Sequence, residues 1–134
     1  MNKTNIMVRF SIYGESFDPT DITKLLEIKP SHTHKKGDML KNGISTRKDT
    51  AWSIETGYEE SLNINDQIER ILKLLEGKKD ILLRIRRDMP VEMLFMIVVK
   101  IENKETPAMY FLKDTLNFFH EIKAEVGFDL YVYD

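Results

Sequence analysis

The chain has 134 residues, 42% hydrophobic and 31% charged, with a net charge of −2. That is enough for one hydrophobic core without staples, and it is the balance of a folded domain rather than a disordered tail. The absence of cysteine excludes disulfides, thiolate nucleophiles and every cysteine-ligated zinc or iron–sulfur centre. A single domain over residues 1–134 is expected. The start "MNKTNIMVRF" lacks the basic end, apolar run and small-residue cleavage site of a secretory signal, and the longest apolar run, 93–99, is too short for a bilayer. A cytoplasmic location is therefore expected.

In chain order, "IMVRFSIY" alternates: Ile6, Val8, Phe10 and Ile12 point one way, and Met7, Arg9, Ser11 and Tyr13 the other, the period of a strand. "GESFDPTDITKLLEI" reads as a turn feeding a helix. Asp18 is the N-cap, Pro19 occupies the first helical position, Phe17 and Ile22 sit at staple positions, and Pro30 stops the helix running on. "KNG" signals a turn, so a short strand over 38–40 and a second over 51–56 are expected to form a loose hairpin, with Trp52 and Ile54 on one face. Ile64, Ile68, Ile71, Leu72 and Leu75 follow helical spacing, which predicts an amphipathic helix near 65–76 closed by Gly77.

"KKDILLRIRRDM" fits helix or strand, and helix is preferred. "VEMLFMIVVKIE" has the continuous apolar character of a strand covered on both faces, and "AMYFL" suits a short returning strand. Asp114 is expected to cap a last helix bearing Leu116, Phe119 and Ile122 and ending at Gly127. "FDLYVYD" closes as a strand with Phe128, Leu130 and Val132 inward. This order predicts an α+β fold: a mostly antiparallel sheet with two to four helices packed on it, a ferredoxin-like variant being one arrangement that fits.

The charge is unevenly spread. Residues 29–48 hold six basic side chains (Lys29, Lys35, Lys36, Lys41, Arg47, Lys48) and one acid, Asp38, so the acidic excess lies elsewhere. Within "KPSHTHKKGDML", Lys36, Gly37 and Asp38 have the chemistry of a turn. His32, His34 and Asp38 are separated by even numbers of residues and would project to one side of an extended segment, as metal ligands must. A metal centre still needs converging ligands from separate elements, and His120 brings no second histidine or glutamate at helical spacing. No metal is assigned, and His32 and His34 are the weak candidates for one. No activated nucleophile, Gly-rich phosphate loop or cofactor motif is present.

The stretches "FSIYGESFDPTDITKLLEIKP", "KKGDML", "RKDTAWSIET" and "EVGFDLYVYD" together resemble a family of small bacterial proteins catalogued as domain of unknown function 4279. The resemblance spans nearly the whole chain. It implies an α+β architecture and brings no reaction, cofactor or site residues.

Two functional classes follow. The first is a non-enzymatic interaction module, immunity-like or accessory, with a protein partner. The second is a nucleic-acid or small anionic-ligand binder that uses the basic segment, with Arg84, Arg86 and Arg87 and the aromatics Tyr13, Tyr131 and Tyr133 as additional contacts. A metal-dependent enzyme using His32 and His34 is a weaker third. Candidate binding residues are Lys35, Lys36, Asp38, Arg47, Lys48 and Trp52, with Trp52 better read as core because large aromatics dominate core burial.

Overall fold

The alternation of the first segment becomes β1 (Asn5–Gly14), the strand around which the sheet is built. A computed structural model describes residues 2–133. β1 is followed by α1 (Pro19–Leu26), β2 (His32–His34), β3 (Thr50–Glu55), β4 (Glu59–Glu60), α2 (Ile64–Leu74) and α3 (Lys79–Asp88), then by β5 (Glu92–Ile101), α4 (Lys113–Glu121) and β6 (Glu125–Val132). The sheet order is β2-β3-β1-β5-β6, with β4 also pairing β1. Every pairing is antiparallel except β5 with β6. The fold is therefore α+β with a mostly antiparallel, open sheet. The β5-α4-β6 crossover joins adjacent strands, which departs from the split βαβ unit of a ferredoxin-like sheet.

Register explains why one face is core. Phe10 lies opposite Ile54 and Phe95, and Ile12 opposite Trp52 and Met93, so the inward residues of three strands share a side. On that side they meet Ile22 and Leu26 of α1, Ile64, Ile68 and Ile71 of α2, Leu82 and Ile85 of α3, and Phe119 of α4. The Phe10, Phe95 and Phe119 rings stack in series, with centroids 4.8 and 4.4 Å apart. Trp52 is fully buried here, and its Nε1–H donates to Thr23 Oγ1 at 2.9 Å, which satisfies the one polar group of the ring.

Local signals set several of the element ends. The Asp18 carboxylate accepts from the Thr20 amide, and Glu27 closes α1 in the left-handed region. Gly14 ends β1 where a Cβ would collide with the Pro90 carbonyl oxygen, so no larger residue fits without backbone movement.

Several expectations are corrected. The strand that pairs with 51–56 is His32–His34 and not 38–40; residues 38–40 contribute only a bridge, Met39 to Thr46, inside a smaller hairpin. β5 is covered fully on the helix side alone, since Leu94 and Met96 on the other face are partly exposed. "AMYFL" forms a bridge at Ala108 to Asn63 instead of a strand. Asp114 lies within the first turn of α4, whose N-cap is Leu112, and Gly127 lies in β6, the turn after α4 being made by Lys123 at φ 56°. Leu72 is half-buried, while Ile68, Ile71 and Leu75 carry the buried stripe. Phe128, Leu130 and Val132 are on the helix side by register, yet they are 42%, 49% and 69% exposed because no helix extends over β6.

Candidate functional site on the open face of the sheet

The other parity of the same strands builds a polar surface. Arg9, Ser11 and Tyr13 of β1 lie opposite Glu55, Ser53 and Ala51 of β3, and Ser53 and Ala51 lie opposite His32 and His34 of β2. These residues floor a depression of about 730 Å³, which Lys41, Arg47 and Asp49 of the following loop wall on one side.

The loop holds its shape by its own bonds. The Asp38 carboxylate accepts from the Lys35 amide at 2.7 Å, and Gly37 turns at φ 93°. Arg47 exchanges backbone bonds with Gly37 and Asp38 at 3.0 and 2.8 Å, and Asn42 Oδ1 accepts from the Ile44 and Ser45 amides at the tip. The loop is thus a miniature hairpin that carries Lys41 and Arg47 to the edge of the depression.

Inside, the polar groups form short chains. Ser11 Oγ and Ser53 Oγ are 2.8 Å apart, and Arg9 Nε donates to Glu55 Oε2 at 2.9 Å. His34 is engaged at both nitrogens: Nε2 is 3.2 Å from Asp49 Oδ1, and Nδ1 is 3.2 Å from His32 Nε2. A carboxylate only accepts, so a neutral His34 carries its proton on Nε2 and accepts at Nδ1. Neutral His32 must then donate from Nε2, which leaves its Nδ1 as a bare acceptor. His32 titrates below the ordinary histidine range. Desolvation is the main cause, followed by the His34 ring and the positive charges of Arg47 and Arg9, although the residue as a whole remains exposed. Burial and the carboxylates of Glu125, Glu92 and Asp49 push the Tyr13 phenol up, keeping it a neutral donor.

The predicted site residues separate. Arg47 lines the depression; Lys35 and Lys48 lie exposed outside it; Lys36 pairs with Glu15 at 3.6 Å. Asp38 is consumed by its turn, so the trio with His32 and His34 is broken after His34, where the strand ends. Trp52 faces the helices and offers no surface here. Arg86 and Arg87 are bound to Glu92 and Asp88, and His120 is exposed on α4. Among the described residues no three histidine or carboxylate side chains gather to hold a metal.

Arg9, Ser11, Ser53, Asp49 and Glu55 were not among the predicted site residues. The alternation of β1 already put Arg9, Ser11 and Tyr13 on one face, which was the available signal. A larger groove of about 1020 Å³ runs between α2 and α4, but it is a packing seam with Leu72 and Phe118 along it and the Lys79–Glu121 ion pair beside it.

These features define an α+β protein whose sheet is covered by helices on one face and, at its β2-β3-β1 end, lined with polar groups on the other. The chain belongs to the family described as domain of unknown function DUF4279, whose model matches residues 2–133. No curated protein and no solved structure matches it. Among the described residues no helix is long and apolar enough to cross a membrane.

Proposed function

We propose that this protein is a binding module that holds a compact anionic group, a carboxylate or a phosphate, in the depression on the open face of its sheet. The observation that carries the reading is that Lys41 and Arg47 reach the depression without an ion-pair partner among the described residues, beside the Ser11–Ser53 hydroxyl pair and the Asp49–His34–His32 chain. A guanidinium in a concave, partly desolvated place is suited to a forked oxyanion. The exposed lysines outside the depression, Lys35 and Lys48, add only long-range attraction. The role is recognition, and the same chemistry serves an acidic side chain of a partner protein or a free small anion.

The test is a titration of isotope-labelled protein with inorganic phosphate and, separately, with an acidic peptide, read by amide and imidazole chemical shifts. The expected shifts cluster at Ser11, His32, Arg47 and Ser53, and Arg47→Ala weakens binding about tenfold, the scale of one charge-assisted hydrogen bond. Stronger saturation by peptide assigns the anion to a partner protein, and stronger saturation by phosphate assigns it to a free ligand. Shifts scattered over the surface, or unchanged in Arg47→Ala, overturn the site. Micromolar, salt-sensitive binding of a single-stranded oligonucleotide would instead place the function with nucleic acid.

A further inference from the structure

The two edges of the sheet are finished differently. One is β2, three residues long and followed by the hairpin loop. The other is β6, eight residues with no lysine, proline or short break. Short strands, charged side chains (lysine above all) and prolines keep a sheet edge from pairing, and of these β6 has only the carboxylates of Glu125 and Asp129. The Tyr133 amide donates to the Ile101 carbonyl at 2.9 Å, so odd-numbered residues of β6 turn their backbone toward β5. Val126, Phe128, Leu130 and Val132 therefore turn N–H and C=O outward; all four side chains are on the helix side, where Val126 packs against the core and Phe128, beside Phe111, forms an exposed apolar ridge with Leu130 and Val132.

We propose that β6 pairs antiparallel with β6 of a second copy of this chain, with Leu130 on the two-fold axis. The occupant is argued from the strand's fit to itself. In this register Leu130 meets Leu130 and exchanges both backbone bonds, and Phe128 meets Val132, so the ridge of each copy is completed by the other's. On the opposite face Gly127, over which the Met96 side chain of β5 leans, lies across from Tyr133, so the ring meets Met96 and no opposing side chain of its own pair. Asp129 lies across from Tyr131, whose hydroxyl already donates to the Asp129 carboxylate of its own strand at 2.9 Å. Centring the axis on Asp129 would bring two carboxylates face to face in a close pair, and like charges directly opposite are unfavourable. Both members of each pair come from β6 and the residue that follows it, Tyr133. The dimer leaves the depression free, since that lies at the β2 end of the sheet.

Sedimentation of the full chain over a concentration series tests this. The wild type is expected to dimerise with a micromolar dissociation constant, and Leu130→Lys, which places two ammonium groups on the axis, to weaken it at least about tenfold. Val132→Lys should act in the same direction and serves if Leu130→Lys does not fold. Leu62→Lys, at an exposed position distant in sequence, should leave the dimer intact. A wild type that stays monomeric to about 0.5 mM overturns the pairing, because even millimolar affinity would then populate a dimer. A dimer indifferent to both β6 lysines overturns it equally, as does one lost in Leu62→Lys as readily as in Leu130→Lys.

Discussion

Phe10 and Ser11 are neighbours in one strand, yet they belong to surfaces with opposite rules. On the Phe10 side, inward positions of β1, β3 and β5 are apolar and almost wholly buried beneath four helices. On the Ser11 side, the β2-β3-β1 end carries hydroxyls, imidazoles, an arginine and carboxylates around an open depression. The first surface has many interchangeable ways to be hydrophobic, whereas the second needs particular groups at particular distances. On the proposed function, most of the stability resides on one face and recognition on the other. Substitutions on the two faces should separate these properties.

The sharpest separation is expected from Phe95→Ala, which empties the middle of the stacked ring series and should cost about 3–5 kcal/mol of folding free energy. A loss below about 1 kcal/mol in chemical denaturation would show that the ring series does not anchor the core. Next, Leu75→Ala should cost about 2–5 kcal/mol, and Leu72→Ala only about 1 kcal/mol, because Leu75 is 1% exposed and Leu72 half-buried. Equal losses would mean that the groove between α2 and α4 closes over Leu72 in solution.

Trp52→Phe keeps most of the buried ring but removes the donor to Thr23, at a cost of about 1–2 kcal/mol. Anion affinity should be unchanged by it. A loss of binding at unchanged stability would break the division between the faces.

The smallest effect is a pH dependence. The folded pKa of His32 lies below its unfolded value of 6.5. The folded state thus binds fewer protons between the two, and the contribution of His32 to stability is fully present above 6.5 and lost as pH falls through the folded pKa. A bound anion reverses the direction, since it favours imidazolium, so anion affinity should rise as pH falls through that same window. Melting curves from pH 7.5 to 5 with and without phosphate read both effects. Parallel curves would remove His32 from the site.

The covered face was largely legible in the sequence because it obeys periodicity. The two-residue alternation of β1 and the helical spacing of Ile64, Ile68 and Ile71 give the core stripe directly. α4 was placed less well, because Leu112 offers no side-chain cap and the helix start is fixed by tertiary packing of Thr115 and Phe119. β2 is not legible in the sequence because His-Thr-His has no apolar alternation, and its strand form comes from pairing with 51–53. The open face was legible only by halves. Arg9, Ser11 and Tyr13 could be placed on one side of a strand, but the pairing of Ser11 with Ser53, or of Asp49 with His34, spans loops and belongs to topology. The basic segment is visible as charge, while its division into a turn residue, solvated lysines and the two cations that line the depression depends on the small hairpin.

The most direct test of the open-face site is the imidazole titration of His32 by NMR, with and without phosphate, in the wild type and in Arg47→Ala. The account predicts a pKa below the ordinary histidine value in the free wild type, an upward move on adding phosphate, and a much smaller move in Arg47→Ala. A His32 pKa that phosphate leaves in place, or moves equally in both proteins, would contradict the claim that this face of the sheet is where the protein binds an anion.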